Sequence, residues 1–540
     1  MATSRLLADS FLDMLAWLVG HGLFRTVEVV GMHRIPPDRP VIIVANHFNG
    51  MVDAVLLAVI ARGIPRFIAK STLWRSPLLR PLLALVGLVP VSRPEDRGGA
   101  AQQAAMPSAQ EAGGGPEDAN MAAFERAHRL LRRHATLAIF PEGTTHDRLE
   151  LARVRTGAAR IALGARHAGV RNITIVPVGL TFDDKLALRS RVLVRIGDPI
   201  DLDAWVAHSG EAGSTTDGNH AAVRHLTDTI RSRLSDVTPR YADVLARAIL
   251  GRAAEVRLRS DLDAPGLIVP LAQREALAQL MSDAPAGATD AVIAAQGAYH
   301  LRLDLVRLRD ELLMPPLQRG WLLRRALALT VFMAALGVVV LAGIAANAVP
   351  TLLTAAAGRR PQAPATKGTV RVLTALVVFP LTWIIVAVAL PVTGLAPTTL
   401  AVIAGPISGA VAVGGLERAI ALARAWVGWL GLRNARDLLG PIHTARARVC
   451  HEVDVATAGG TPGYQGSGWP SRKKPPVGPS SGRSTAHMTE AAPSMTGRPP
   501  LPPMSVAVHP GQTALTSTPS VRSSSASTRV SALSAALVTE

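Results

Sequence analysis

A chain of 540 residues, 49% of them hydrophobic and with a formal net charge of +18, has room for more than one domain. A single cysteine, Cys450, excludes an internal disulfide framework and a cysteine-rich zinc site, and fits a reducing, cytosol-facing location. The positive charge comes from arginines scattered among apolar residues, and aromatics at 4% leave few platforms for stacked bases; we read the charge as contact with anionic lipid and phosphorylated substrate, not nucleic acid.

In chain order, residues 1–24 have apolar positions at helical spacing (Leu7, Phe11, Met14, Leu15, Leu18) and suggest an amphipathic helix, lying on a membrane or packed on the domain; Asp9 and Asp13 and the lack of a small-residue cleavage site argue against a signal peptide. Strands are expected at 27–30 and 41–44, the second running into Asn46-His47, a turn at Asn49-Gly50, and a helix from Asp53 to about Ala61. A strand at 66–70, a helical stretch at 73–85 and a Gly/Ala/Gln/Pro-rich flexible insertion at 94–117 follow. Next come a helix at about 120–134, a strand at 136–140, a helix at 157–167, and strands at 173–177 and 191–196. Strands alternating with helices predict an α/β domain over 25–202, with a mixed sheet flanked by helices.

Residues 203–316 read as a helical accessory region, and 326–416 as a transmembrane region of two or three spans: 326–349 and 372–391 are uncharged and of bilayer length. The Gly/Pro-rich run 397–416 reads as a third span or a re-entrant segment. From about 455 to 540 the chain is rich in Ser, Pro, Gly and Thr, and disorder is expected.

Four blocks carry a resemblance. Asn46-His47 with Asp53, Gly87-x-x-Pro90-Val91-x-Arg93, Phe140-Pro141-Glu142-Gly143-Thr144 and Val176-Pro177-Val178 resemble, in order, the motifs of the glycerophospholipid acyltransferase family. The family has four residues between its histidine and aspartate, whereas here there are five. Five is the spacing in a subgroup resembling the fungal glycerol-3-phosphate and dihydroxyacetone-phosphate acyltransferases, whose Phe-Pro-Glu-Gly-x-x-His-Asp is matched by Phe140 to Asp147. That subgroup's Gly-Asp-Pro-Ile is matched by Gly197 to Ile200, and it also has C-terminal membrane segments.

The resemblance implies a membrane-bound enzyme transferring a fatty acyl group from acyl-CoA or acyl-carrier protein to glycerol 3-phosphate or dihydroxyacetone phosphate, with lysophosphatidate as the alternative acceptor. A non-catalytic membrane scaffold is the alternative of another class. No metal and no cofactor beyond the thioester co-substrate is expected, and the adjacent His146 and Asp147 lack a third ligand. The expected partners are a lipid bilayer, the acyl donor and the glycerol phosphate acceptor. Because thioester donors are cytosolic, residues 1–316 are expected on the cytoplasmic side, as in a multi-pass protein of a bacterial inner membrane.

An alcohol is a weak nucleophile at neutral pH, so the transfer asks for a base. His47 is that expected base, with Asp53 fixing its tautomer. By resemblance, Arg93 grips the acceptor phosphate. Asn46, Gly143 and Thr144 belong to the substrate-binding blocks, while Glu142 either binds glycerol hydroxyls or braces the turn. Thr145 stands where most of the wider family has arginine, and Arg148 or Arg155 is expected to take over its phosphate contact. Backbone N–H groups of the 46–53 loop or the helix start are the candidates for holding the oxyanion.

Overall fold

The computed structural model describes residues 20, 22–61, 65–70, 88–91, 116–146, 148, 150–185, 187, 189–209, 219–262, 267–306, 308–313, 319–360, 364–389, 395–434, 436–458 and 508–509. The apolar positions of the expected N-terminal amphipathic helix (Leu7, Phe11, Met14, Leu15, Leu18), the helical stretch 73–85, Arg93 and Asp147 lie outside them, as does almost all of the 94–117 insertion.

Among the described residues nine strands form one sheet: β1 (Phe24–Val30), β2 (Val41–Ala45), β3 (Arg66–Lys70), β4 (Val89–Val91), β5 (Thr136–Ile139), β6 (Thr174–Phe182), β7 (Ser190–Ile196), β8 (Ile200–Asp201) and β9 (Val508–His509). The order is β4-β3-β5-β2-β6-β7-β1-β9, with β8 on β6. Pairs from β4 through β6 are parallel, β6 pairs antiparallel with β7 and with β8, and β7-β1 and β1-β9 are parallel. The sheet is therefore mixed. β2, the central strand, is buried along its whole length, as the unbroken run Val-Ile-Ile-Val-Ala demands of a strand covered on both faces.

Its side chains alternate between two cores. Ile42 and Val44 face the layer of α2 (Pro116–Arg132), α3 (Gly157–His167), α4 (Leu202–Ser209) and α5 (Asn219–Val237). Val41, Ile43 and Ala45 face α1 (Met51–Ile60), through Val52, Leu56, Leu57 and Ile60. Because Leu202, Val206, Leu226 and Ile230 belong to the first of these cores, α4 and α5 are part of the sheet domain. The sequence boundary at 202 falls inside this layer, since charge on the outer face of α5 hides the apolar stripe that packs on the sheet.

A third core joins α6 (Val244–Arg259), α7 (Leu271–Ser282), α8 (Ala286–Leu305) and α12 (Leu439–Ala458). α12 continues beyond residue 455, where the tail was expected to begin, because Val449, Val453 and Ala456 bury against this core. Within the tail, Val508 and His509 pair with Val29 and Val30. The third core is tied to the sheet by ions. Glu28 of β1 accepts from Leu271 N (2.7 Å) and Ala272 N (2.9 Å) at the start of α7, where a helix presents unpaired N–H groups. Arg274 of α7 bridges Asp183 just past β6 at 2.6 Å.

Three further helices, α9 (Arg319–Ala357), α10 (Pro364–Ala389) and α11 (Leu395–Asn434), contain stretches long and apolar enough to cross a membrane. The run 397–416, left between a span and a re-entrant segment, is continuous helix through Pro406. Asn347 cross-links the three: its Nδ2 donates to Gly343 O (2.8 Å) and Gly405 O (3.3 Å), and its Oδ1 accepts from Trp383 Nε1 (3.0 Å). Small residues at crossings and a satisfied polar hub are how apolar helices associate without a hydrophobic drive between them.

Candidate active site

β2 ends at Ala45 and α1 starts at Met51, so residues 46–50 turn the chain at the C-terminal end of the central strand. Gly50 adopts φ 57° and ψ −125°, a conformation that a side chain would strain. The turn closes with Val52 N donating to Asn49 O (3.1 Å) and Asp53 N to Gly50 O (3.2 Å). On one helix His47 and Asp53 would point apart; across this turn His47 Nδ1 lies 3.0 Å from Asp53 Oδ2. Asn49 N donates to the same oxygen at 2.8 Å. The Asp53 side chain is fully buried, and His47 retains partial access to solvent. Burial pushes the Asp53 carboxyl above its ordinary range, against the opposing pull of His47 and of the Asn49 and Phe48 backbone groups. With Nδ1 turned to Asp53, Nε2 is the ring nitrogen left for other chemistry.

The third block is folded onto the first. The His47 ring stacks on Phe140 with centroids 4.1 Å apart and planes 13° apart. Glu142 Oε1 accepts from His47 N at 2.7 Å, and its Oε2 accepts from Ala152 N at 2.7 Å and pairs with His146 Nε2. His146 N in turn donates to His47 O at 3.4 Å. Buried and engaged on both oxygens, Glu142 is placed as a brace for the backbone of His47. Asn46 is equally structural in position. Its Oδ1 accepts from Leu180 N (2.7 Å) and its Nδ2 donates to Leu180 O (3.0 Å), so its side chain extends the β2-β6 ladder by one rung.

Gly143 sits at φ +72°, with Gly143 N donating to Phe140 O at 3.0 Å. Arg155 packs over it: Arg155 N donates to Pro141 O (2.8 Å), and a Cβ at position 143 would stand 3.0 Å from Arg155 Nε. Gly143→Ala is therefore expected to lower stability by about 1–3 kcal/mol, from the left-handed backbone plus displacement of Arg155. Thermal melting of the two proteins checks it, and an unchanged midpoint would contradict that strain. Arg155, Arg148 and Thr144 are exposed, the Thr144 hydroxyl facing Thr145 O at 3.5 Å. Several loop N–H groups expected for an oxyanion are engaged elsewhere: His47 N on Glu142, Asn49 N on Asp53 and Met51 N on Thr369 Oγ1.

Sequence reading missed the brace formed by His146, although the four-residue spacing from Glu142 is a usable signal. Thr369, more than 300 positions from Met51, gave none. Among the described residues no group of three or more His, Cys, Asp or Glu side chains is arranged to hold a metal ion.

Comparison with known proteins finds similarity to acyltransferases. Residues 26–181 match the family model named Acyltransferase. Over 122 residues the chain is 35% identical to glycerol-3-phosphate O-acyltransferase 1 of Saccharomyces cerevisiae, a stretch that is 22% of this chain and 16% of the yeast protein. It is 26% identical over 176 residues to a 1-acyl-sn-glycerol-3-phosphate acyltransferase of Chlamydomonas reinhardtii, covering 32% of this chain and 45% of that one. The chain thus spans less than half the length of either relative. A crystal structure of a 1-acyl-sn-glycerophosphate acyltransferase from Thermotoga maritima aligns with 45% of this chain and 84% of its own, at 18% identity and a TM-score of 0.30. Residues 26–181, which hold the His47–Asp53 pair and the Glu142 brace, are the part of the chain that matches the acyltransferase family model.

Proposed function

We propose that the protein is a membrane-bound O-acyltransferase of glycerolipid synthesis, transferring a fatty acyl group from acyl-CoA or acyl-carrier protein to a hydroxyl of glycerol 3-phosphate or dihydroxyacetone phosphate. The observation that carries this reading is the His47 Nδ1–Asp53 Oδ2 contact of 3.0 Å with Asp53 fully buried and His47 open to the site. Nε2 takes the acceptor's hydroxyl proton as its oxygen attacks the thioester carbonyl. Asp53 holds the Nδ1 proton and stabilises the imidazolium. The tetrahedral intermediate collapses by breaking the C–S bond, and the leaving thiolate takes the proton from Nε2, so ester and free thiol are the products. The base and the thioester supply the chemistry between them. Arg93 is the hand for the acceptor phosphate, and the exposed Arg148, shortly after the Glu142-Gly143 turn in sequence, and Arg155, packed over Gly143, are further anion contacts.

The 35% identity to a protein named for glycerol 3-phosphate favours that acceptor. The algal relative, matched over more of this chain, is named for 1-acyl-sn-glycerol 3-phosphate, which keeps lysophosphatidate as the second reading. In either case α9, α10 and α11 hold the enzyme in the bilayer, with the sheet domain on the cytosolic side where thioester donors are made. Purified full-length protein in detergent is assayed with radiolabelled acyl-CoA and acyl-carrier protein against the three acceptors. Incorporation into glycerol 3-phosphate or dihydroxyacetone phosphate is the expected result; incorporation into lysophosphatidate alone selects the second reading. No transfer to any acceptor from either donor overturns the enzyme.

A further inference from the structure

The helix that carries Asp53 is capped from outside its own domain. Met51 is the first residue of α1, and its N–H is one of those that a helix leaves without an internal partner. Gly50 has no side chain to satisfy it. The acceptor comes from α10: Thr369 Oγ1 receives Met51 N at 3.1 Å. One residue earlier, Gly368 lies so close to the turn that a Cβ there would overlap Asn49 Oδ1 and stand 3.0 Å from Val52 Cγ2. Val372 and Leu376, one and two turns along α10, pack into the core shared by Val52, Leu56 and Leu57 of α1. Asn49 is the link to the chemistry, because its N–H holds Asp53 Oδ2 while its Nδ2 is held by Lys185 O at 3.1 Å. Anything that lifts Thr369 or crowds Gly368 therefore moves the groups that orient the carboxylate.

We propose that Thr369 and Gly368 are positioning residues of the active site, through which α10, an apolar helix of membrane-crossing length, holds the Asn49–Asp53 turn against His47. This rests on the reading of His47 and Asp53 as the acyl-transfer pair. It makes one of the membrane helices part of the site as well as an anchor: the pair is fully assembled only when α10 is seated on α1.

The test uses full-length protein in detergent with acyl-CoA and whichever acceptor the wild type accepts, with rates normalised to folded protein measured by size-exclusion chromatography. Thr369→Val keeps the shape and deletes the acceptor. It is expected to lower kcat about tenfold with KM for both substrates unchanged, and Thr369→Ser, which restores the hydroxyl, returns wild-type kcat. Gly368→Ala is expected to lower kcat by more than tenfold through displacement of Asn49. A purely structural contact would instead reduce the yield of folded protein and leave kcat per folded molecule unchanged. That outcome, a change confined to KM, or failure of serine to rescue overturns the inference while leaving the acyltransferase reading intact. If Thr369→Val gives no folded protein, Gly368→Ala and Thr369→Ser decide the matter by the same criteria. A wild type that transfers no acyl group to any acceptor overturns the reading of the site, and the inference with it.

Discussion

Asp53→Asn is expected to lower kcat for acyl transfer about 10³-fold with little change in KM, and His47→Ala about 10⁴-fold or to background, with membrane association unchanged in both. The asparagine variant separates charge from geometry. Asn49 N donates to Oδ2, the same oxygen that faces His47 Nδ1. An amide at position 53 therefore satisfies both donors by placing its oxygen there, which preserves the tautomer. What is lost is the negative charge opposite the imidazolium of the transition state. At roughly 4 Å and an effective dielectric constant of about 20, that charge is worth about 4 kcal/mol, hence the factor of about 10³. Initial rates in detergent, with membrane fractionation of the same variants, check both. Wild-type acyl transfer in His47→Ala would overturn the assignment of His47 as the base.

The same substitution has an opposite sign for stability. Burial raises the Asp53 carboxyl above its unfolded value, so its protonated form favours folding, and that contribution is lost as pH rises through the folded pKa. Above that pKa the ionised group opposes folding. Asp53→Asn is accordingly expected to gain melting temperature relative to wild type as pH rises through that pKa, with the difference shrinking as pH falls through it. A site that gains stability when it loses activity is one built for chemistry and not for packing.

How much of this was legible in the sequence depends on the range of the interaction. The β-branched run 41–44, the Asn49-Gly50 turn and the helix after it are local signals, and they suffice to place His47 at a strand end and Asp53 at a helix start. The alternation of strands and helices gave the α/β domain, and the order of the blocks at 46–53 and 140–144 gave the resemblance. Sequence order is silent on adjacency in the sheet: β1 and β2 follow one another in the chain, yet β6 and β7 lie between them, because β6 and β7 pair antiparallel and β1 then adds to β7. Nor does a motif say which of its residues faces substrate. Asn46 and Glu142 sit in blocks expected to bind substrate but turn inward to Leu180 and to His47 N. Glu417 shows the same limit in the apolar region. It ends the uncharged run 397–416 and pairs with Arg189 of the sheet domain at 2.8 Å, so a charge that looks like a span boundary is also a tether.

The inward turn of Glu142 leads to the second large effect. Three donors converge on a carboxylate that is 1% exposed: His47 N on one oxygen, Ala152 N and His146 Nε2 on the other. Glutamine is close in shape but offers one acceptor oxygen and an NH₂ group. Even if His146 changes tautomer to accept from that group, either His47 N or Ala152 N is left facing a donor in a buried site. Glu142→Gln is therefore expected to reduce stability by about 1–3 kcal/mol, one stranded buried N–H, and Glu142→Ala by more, since it strands all three donors. Loosening His47 N moves the imidazole, and a misplacement on the order of 1 Å lowers kcat about 10²-fold. A glutamate whose main work was to bind glycerol hydroxyls would behave differently: Glu142→Gln would raise KM for the acceptor and leave the melting temperature where it was. Melting curves and acceptor titrations on the same preparation separate the two. The brace reading requires that stability and kcat fall together while acceptor KM holds, because the carboxylate acts on the backbone that carries the base and not on the molecule the base attacks.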